Sequence, residues 1–379
     1  MSERANRTQK RRNEGVRARM QRTISERGLA EPDAPVLLMV SGGSDSTALA
    51  YLAHDLRRAG VFGSLAMLHV NHCLRGAAAD EDAQFVQQLA DALGIPLTLR
   101  VIDVAAEAAR AGENVEATGR RARYRAASEA LADLCRRAAA PLASGRIFTA
   151  HTADDRVENF YMRSIVGTGP GGFRSMRYRN GSVARPLLDL GREELRDYLR
   201  ERAQSDAPIV RDAAGNLWRE DATNAHTDRF RAYIRHELVP VAHARNPQLA
   251  ETLCRTMNLI ADEDDLLDKM TTDLVARYAV WESEPVRSCV LAPALGVEPL
   301  PLVRRAVVKA LQRLLPPDAR IESATVDAVI AAWERKESPD ARPIGGYVTN
   351  VQGNLAVSAN KRGVRIEPME SFRVRRKRA

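Results

Sequence analysis

The sequence predicts an α/β fold, a doubly wound parallel sheet followed by a smaller, mainly helical domain that ends in a β-hairpin. Short apolar strands alternate with helical patterns between residues 35 and 166, and a glycine-rich turn follows the first strand. After residue 189 this alternation gives way to charged helical stretches. A chain of 379 residues also exceeds one ordinary core, so we expect two folded domains.

The first half of the chain supplies the predicted sheet. Residues 36–40 form an apolar strand, and after the glycine turn Leu49, Leu52 and Leu56 recur at helical spacing until Gly60 ends the helix. The other predicted strands are 65–70, 97–102 and 147–150, and the other predicted helices are 80–93, 116–137 and 154–166. In open parallel sheets ligands bind at the carboxyl ends of the strands.

The second half is predicted to be mostly helical. Helices are expected at 192–202, within 246–280, at about 302–315 and at 323–336, followed by a hairpin of residues 346–351 and 355–357 that turns at Gly353-Asn354. We predict four segments: a basic N-terminal extension (1–34), a nucleotide-binding catalytic domain (35–245), a connector helix with a small domain (246–360) and a basic tail (361–379).

Composition limits the partners and the compartment. The net charge of +8 suits a polyanion such as nucleic acid, but an arginine-rich solvated surface would give the same value. No apolar run approaches the roughly 20 residues of a membrane span, and no secretory signal is visible, so we expect a cytoplasmic protein with no membrane partner. The four cysteines form no CxxC pair, which argues against disulfides, zinc or a thiol relay.

The glycine turn after the first strand has the chemistry of a pyrophosphate cradle. Adjacent glycines let the backbone turn tightly, and the following helix presents its positive N-terminal end. The residues predicted to bind ATP are Ser41, Gly42, Gly43, Ser44, Asp45 and Ser46. Asp45 is expected to hold a Mg²⁺ that bridges the phosphates. The alternative is a plain glycine turn whose serine and aspartate cap the helix.

The same turn resembles a known nucleotide-binding signature. It matches SGGxDS, which is typical of the PP-loop ATP pyrophosphatases, Rossmann-like enzymes that split ATP between the α and β phosphates to adenylate a substrate. It lacks the Gly-Lys-Ser/Thr ending of a Walker A loop. A second glycine-rich string at 167–172 fits GxGxxG, but it follows a helical pattern and contains Pro170. We interpret that string as a helix end and loop, not as a dinucleotide site.

Six further stretches resemble those of the tRNA(Ile)-lysidine synthases, in the family's order. They are HVNHCLR (69–75), an EAxxRxxRY pattern (116–124), TAHTADD (149–155), RPLL (185–188), DATN (221–224) and IRHELVP (234–240). Residues where this chain departs from the family's pattern are Cys73, Thr152, Arg156, Asn159 and Ala232. Residues 246–360 resemble the family's small tRNA-binding domain on weaker motifs.

The resemblance implies a ligase reaction. ATP would adenylate the C2 oxygen of cytidine 34 in the CAU anticodon of tRNA(Ile), and the side-chain amine of L-lysine would displace AMP to form lysidine. The modified tRNA would read AUA instead of AUG. ATP, Mg²⁺, tRNA(Ile) and L-lysine are therefore the expected ligands, and the sequence leaves a homodimer open.

Charged residues near the motifs are candidates for the two chemical steps. Asp45 through Mg²⁺, together with Arg231 and Arg235, would stabilise charge on the α-phosphate. Asp154 and Asp155 are candidates to receive the lysine, whose amine has an ordinary pKa of about 10.4 and must lose its proton. Because neighbours on a helix point about 100° apart, we expect one of the two aspartates to face the site and the other to cap the helix.

The remaining site candidates would hold the substrate or the tRNA. Arg120 and Arg123 lie three positions apart on one helical face and could also contact phosphate. The others follow predicted strand ends and are Asn71, His72, Arg75 and His151. His151 could instead be a polar residue that packs the strand end.

Other functions fit the same fold less well. A PP-loop tRNA thiolase would commonly use paired or cluster-binding cysteines, and an amidotransferase-type synthetase would need an ammonia source; neither signal is present. A non-catalytic RNA-binding protein with an ATPase-like fold would not need the intact SGGSDS loop.

Overall fold

The chain divides into two compact units, Met1–Ile260 and Ala261–Ala379, in a computed structural model that describes residues 15–220, 230–282, 287–316, 319–334 and 341–378. The domain boundary predicted at 245/246 stays a prediction. None of the helices in these described ranges has an apolar stretch that could cross a lipid bilayer.

A six-stranded, mostly parallel sheet forms the centre of the first unit. Its strands are β1 (Val36–Met39), β2 (Leu65–Asn71), β3 (Leu97–Val101), β4 (Arg146–Phe148), β5 (Arg179–Asn180) and β6 (Val183–Ala184). Their order across the sheet is β3-β2-β1-β4-β6-β5, and only the β5–β6 pair is antiparallel. The predicted doubly wound parallel sheet is confirmed.

Helices connect these strands and follow the sheet. They are α1 (Val16–Glu26), α2 (Ser44–Arg58), α3 (Ala77–Leu93), α4 (Val104–Ala111), α5 (Val115–Arg137), α6 (Ala153–Val166), α7 (Arg192–Arg202), α8 (Phe230–Tyr233) and α9 (Val239–Arg245). A π-helical turn, Ile234–Leu238, joins the last two. Helix α6 ends at Gly167, which has φ +87°, and a 3₁₀ turn follows at Pro170–Arg174. The interpretation of residues 167–172 as a helix end and loop is therefore confirmed.

Both faces of the sheet are buried. Leu37 and Leu38, neighbours in β1, belong to different apolar clusters, because alternate side chains of a strand point to opposite faces. On one face Leu37 packs with Ala127 and Leu131 of α5, while Leu38 belongs to the larger cluster that includes α2. The continuous apolar runs of β1 and β2 follow from this double coverage.

Helix α1 lies within the segment that was predicted to be an extension. Met20 and Ile24 are one helical turn apart, and both are completely buried in the main core. The many arginines around them obscure this apolar pair in the sequence. Residues 16–26 therefore form part of the folded first unit.

The second unit contains an antiparallel sheet of five strands in the order β11-β12-β13-β8-β7. These are β7 (Ala279–Glu282), β8 (Ser288–Leu291), β11 (Val348–Val351), β12 (Leu355–Asn360) and β13 (Gly363–Pro368); β9 (Trp333–Glu334) and β10 (Arg342–Pro343) form a separate pair. The long helix α10 (Leu249–Tyr278) begins in the first unit and ends in the second, and the other described helices of the second unit are α11 (Leu300–Leu314), α12 (Ser323–Ile330) and α13 (Met369–Arg378). The predicted hairpin is confirmed as β11–β12, which turns at Gly353 and Asn354, both with positive φ.

The C-terminal residues are more ordered than a basic tail. Strand β13 lies between β12 and β8, with Val364 and Ile366 completely buried, and α13 follows it. The alternation of apolar and polar residues at 363–368 is short, and a run of arginines follows it. The sequence therefore predicted a solvated basic tail instead of a strand. Residues 363–368 are a central strand of this sheet.

Candidate active site

The SGGSDS loop is closed by the side chain of Ser46. Its Oγ accepts hydrogen bonds from the backbone N–H groups of Ser41, at 3.2 Å, and Gly42, at 3.1 Å, and donates to the carbonyl of Gly43 at 3.0 Å. The hydroxyl is therefore used inside the loop, where it fixes the backbone shape of the cradle.

The Gly42 carbonyl is bound on the protein side of the loop. It accepts from the Thr47 hydroxyl at 3.1 Å and from the Arg219 backbone N–H at 2.9 Å. Gly42 has φ +94°, and a Cβ there would lie 3.4 Å from the Arg219 side chain. The positive φ requires a glycine, whereas the 3.4 Å contact would be an ordinary van der Waals contact. Neither Thr47 nor Arg219 was identified from the sequence.

The cradle opens at the start of α2. The helix begins at Ser44, directly after its N-cap residue Gly43, and no side chain caps it. The first N–H groups of a helix lack intrahelical acceptors and carry the positive end of the helix dipole. Such groups are the donors that an anion site needs, and the pyrophosphate site at this loop stays a prediction.

A cavity of about 570 Å³ lies at the carboxyl edge of the sheet. It is lined by Ser41 and Ser46 of the loop and by Asn71, His72, Arg75, Arg120, Arg123 and His151 among others. All six residues predicted to bind substrate or tRNA thus meet the loop in one cavity. They meet because β1, β2 and β4 run parallel and end at the same edge.

Three histidines line the cavity, His69, His72 and His151, and burial lowers the pKa of each, which favours the neutral ring at pH 7. Burial, followed by the charge of Arg123, lowers the pKa of His72 to about 4. Burial also lowers the pKa of His151 to about 4, although the negative charge of Asp155 acts to raise it. His151 Nδ1 lies 2.9 Å from the Thr149 hydroxyl, whereas His72 Nδ1 is buried with no hydrogen-bond partner among the described residues. His72 therefore has a ring nitrogen available to a ligand.

These shifts predict a pH dependence of stability. Between pH 6.5 and about 4 His72 and His151 bind protons in the unfolded chain but not in the folded one, so the free energy of unfolding should fall as the pH drops through this window. Above pH 6.5 they should contribute no slope. Urea unfolding at pH 7 and pH 5 should show a smaller loss for the His72→Gln/His151→Gln double variant than for wild type. Equal losses would contradict the neutral state of these rings.

Two arginines of α5 place positive charge on the cavity wall. Among the described residues, neither Arg120 nor Arg123 has a carboxylate within ion-pair distance; Arg120 stacks on Tyr124, 5.1 Å from the ring centroid. Burial, with repulsion from Arg120, lowers the pKa of Arg123. Uncompensated guanidinium groups beside an anion cradle attract phosphate.

Asn71 and Arg75 shape the wall after β2. The Asn71 side chain accepts from the Cys73 N–H at 2.9 Å and donates to Asp80 at 3.0 Å, and Arg75 pairs with Asp82 at 2.6 Å. Cys73 has φ +56°, a conformation that glycine adopts without strain. This geometry favours a glycine at position 73.

Cys73→Gly should stabilise the protein. Relief of the left-handed strain, about 1–2 kcal/mol, is partly offset by the greater backbone freedom of glycine in the unfolded chain, so we expect a net gain of about 0.5–1 kcal/mol. Urea unfolding would measure this gain. Leu74→Gly, in the same turn but without a positive φ, is the control and should lower stability. A loss of stability in Cys73→Gly would contradict the strain.

The predicted catalytic residues form an ion cluster beside the loop. Arg231 binds Asp155 at 2.6 Å and Glu158 at 2.7 Å, and Arg235 binds Glu158 at 2.6 Å. Arg192 donates to Asp45 at 3.2 Å. The structure therefore brings together Asp45, Asp154, Asp155, Arg231 and Arg235 with two residues that sequence reasoning missed, Glu158 and Arg192.

Both predicted aspartates have capping contacts. Asp155 accepts from the Thr152 N–H at 2.8 Å, while Asp154 accepts from the Arg192 backbone N–H at 2.7 Å and so caps α7. Burial opposes ionisation of Asp155, but Arg231 and the Thr152 amide outweigh it and lower its pKa. Asp155, with its second oxygen on Arg231, is the aspartate that pairs with a guanidinium of the ion cluster, whereas Asp154 binds backbone at the edge of the cluster.

The missed residues left only weak signals in the sequence. Glu158 lies three positions after Asp155, on the same face of α6, and Arg192 is the first residue of α7. Charged residues at such positions are usually solvated. The contact between Arg192 and Asp45 spans 147 residues and depends on the fold.

The arrangement suits a divalent ion held largely by nucleotide oxygens. Among the residues that the structure describes, no group of three histidine, cysteine or carboxylate side chains forms a self-sufficient metal site. Asp45 offers a hard oxygen ligand in the first turn after the cradle, and burial raises its pKa despite Arg192. A buried carboxylate that needs a cation, placed beside a phosphate site, fits Mg²⁺.

A parallel sheet with this loop after its first central strand defines a PP-loop nucleotide-binding protein. Residues 13–242 match the model of the PP-loop domain, and the chain belongs to that family. Use of ATP follows from the family.

The chain is also similar in sequence to named proteins of other bacteria. The chain is 35% identical over 307 residues to a protein of Geobacter sulfurreducens named tRNA(Ile)-lysidine synthase, covering 80% of this chain and 60% of that protein. Proteins with the same name from Dehalococcoides mccartyi and Thermus thermophilus are also 35% identical, over 70% and 76% of this chain and 54% and 51% of theirs. The chain spans between half and three-fifths of the length of these relatives.

Proposed function

We propose that this protein is a tRNA(Ile)-lysidine synthase, a ligase that forms a C–N bond between L-lysine and C2 of cytidine 34 in the CAU anticodon. Adenylation of the tRNA would release diphosphate, lysine would then release AMP, and the codon read would change from AUG to AUA. The observation that carries the proposal is the juxtaposition of a PP loop, a cavity with uncompensated arginines and a carboxylate-rich ion cluster.

The loop and its surroundings support the adenylation step. The first N–H groups of α2 would bind the leaving diphosphate, and Asp45 would hold Mg²⁺. The bound ion would supply electrostatic stabilisation of the phosphate charge. Arg120 and Arg123 would hold the phosphates or the tRNA backbone from the opposite wall of the cavity.

The neutral histidines support recognition of a base. His72 has a buried ring nitrogen without a partner among the described residues, and His151 is held by Thr149. Neutral imidazoles can donate or accept hydrogen bonds to a cytosine edge without repelling the arginines beside them. Asn71 and Arg75 would keep this wall in shape.

The ion cluster supports lysine binding. It contains four carboxylates (Asp45, Asp154, Asp155, Glu158) and three guanidinium groups (Arg192, Arg231, Arg235), which leaves one net negative charge. A lysine ammonium would balance that charge, and a carboxylate would accept its proton before attack. We assign Asp155 and Glu158 to binding of the ammonium, and Glu158 to acceptance of its proton, because the lowered pKa of Asp155 makes that carboxylate a poor base.

Several partners follow from the proposal. The domain of residues 246–360 would bind tRNA together with the basic C-terminal residues, and the protein would work in the cytoplasm. The DATN stretch at 221–224 lies outside the described residues. A homodimer stays a prediction.

The test is a lysine-transfer assay. Purified protein is incubated with ATP, Mg²⁺, labelled lysine and tRNA(Ile) with a CAU anticodon, with a methionine tRNA carrying the same anticodon as the control. We expect label on the isoleucine tRNA alone. No lysine-dependent label would overturn the proposal, and thiolation with a sulfur donor would indicate a tRNA thiolase. Burial of three cysteines (Cys135, Cys254, Cys289) argues against the thiolase.

A further inference from the structure

Arg192 connects the loop to the ion cluster. Its Nε donates to Asp45 at 3.2 Å, and its two terminal nitrogens lie 3.6 Å from Asp155 and 3.7 Å from Glu158. Asp45 lies in the first turn of α2, whereas the other two carboxylates belong to α6. One guanidinium therefore faces both the predicted nucleotide side and the predicted lysine side.

The three carboxylates do not depend on Arg192 equally. Asp155 has a closer arginine partner in Arg231, at 2.6 Å, and Glu158 has one in Arg235, also at 2.6 Å. Within the described ranges Asp45 has no other cationic partner than Arg192; its remaining side-chain contact is the Ser44 hydroxyl at 3.0 Å. Arg192 is thus the counter-ion of Asp45, and a supplementary one for the other two.

Arg192 is held in place without Asp45. Its backbone N–H is bound by Asp154 at the start of α7. Burial disfavours its charge, but Asp45, Asp155 and Glu158 outweigh burial and raise its pKa. If Asp45 were lost as a partner, two carboxylates would still flank the guanidinium.

We propose that Arg192 is exchanged for the divalent cation at Asp45. Without nucleotide its guanidinium neutralises Asp45; when metal and nucleotide bind, Asp45 passes to the metal and Arg192 remains with Asp155 and Glu158. The proposal rests on the metal role of Asp45 in the proposed function. Arg192 is then a positioning residue. It weakens metal binding in the absence of phosphates, and it neutralises the charge of Asp45 until the metal and the nucleotide bind.

The test measures metal affinity without turnover. Mn²⁺ is titrated, by electron paramagnetic resonance, into the full-length protein without nucleotide or tRNA. Arg192→Gln should bind Mn²⁺ roughly tenfold more tightly than wild type, because the competing charged hydrogen bond is gone. Arg235→Gln removes the same charge, but among the described residues Arg235 pairs only with Glu158, so the Mn²⁺ affinity of this variant should change less than about twofold.

A third variant separates this inference from the proposed function. Asp45→Asn should weaken Mn²⁺ binding at least about tenfold. If it does, and Arg192→Gln does not tighten binding, the exchange is wrong while the metal role stands. Equal tightening in Arg192→Gln and Arg235→Gln would reduce the effect to overall charge and overturn the exchange. Unchanged binding in Asp45→Asn would overturn both.

The charge-conserving variant Arg192→Lys provides a second test that does not depend on the folding of Arg192→Gln. Its single ammonium lacks the Nε group that reaches Asp45, so we expect about threefold tighter Mn²⁺ binding at unchanged net charge. If Arg192→Gln does not fold, this variant carries the test. An affinity equal to or weaker than that of wild type would overturn the exchange.

Discussion

Asp45→Ala is expected to lower the rate of AMP release by about 10²–10³-fold, because the variant loses the carboxylate that would hold the metal at the developing phosphate charge. Affinity for tRNA should change little, since the variant removes no basic side chain that could contact phosphate. AMP formation at saturating ATP measures the first effect, and filter binding of labelled tRNA measures the second.

A matched aspartate provides the control for that experiment. Asp91 lies on the exposed face of α3, where the Gln87 side chain donates to it, and Asp91→Ala should leave both quantities unchanged. AMP release at the wild-type rate in Asp45→Ala would show that this carboxylate has no part in the adenylation step.

Much of the first unit could be predicted from the sequence because its signals are local. The apolar runs of β1 and β2 and the helical spacing after Gly43 fix element type within a few residues. Parallel topology then brings strand ends together, which is why Asn71, His72 and His151 could be expected near the loop before any contact was known.

The ion cluster could be predicted only in part. Asp155 and Arg231 were identified from motifs, but their pairing joins residues 76 positions apart and depends on the position of α8. The choice between Asp154 and Asp155 could not be made either, because both follow a strand end and both cap helices. Only the position of Arg192 shows that Asp154 binds the backbone of α7.

The sheet of the second unit could not be predicted from local sequence patterns. Strand β13 pairs with β8, which is about 75 residues earlier in the chain, so the sheet is built from pairings that no short sequence window contains. Basic residues beside Val364 and Ile366 made residues 361–379 resemble a solvated tail. Arg365 and Glu367 lie on one face of strand β13, and Val364 and Ile366 on the other face are completely buried. The burial of these two apolar side chains is what makes the segment a strand of the sheet.

Glu158→Gln is expected to separate the two chemical steps. Glu158 is 2% exposed and accepts from both Arg231 and Arg235, so glutamine preserves its shape while the cluster changes from one net negative charge to none. The attraction for a lysine ammonium should then be lost, and lysine transfer should fall about 10²-fold. AMP formation, which depends on the loop and Asp45, should fall less than about tenfold.

Single-turnover reactions with labelled ATP and labelled lysine measure both steps in one sample. Glu193→Gln is the control, because Glu193 lies on the exposed face of α7 and pairs with Arg200 at the surface. Glu158→Ala is unsuitable, since two partly buried guanidinium groups would lose their shared partner at a cost of about 3–5 kcal/mol. If adenylation and lysine transfer decline equally in Glu158→Gln, the carboxylate supports the whole site instead of the lysine, and the lysine would have to be bound by Asp155 alone.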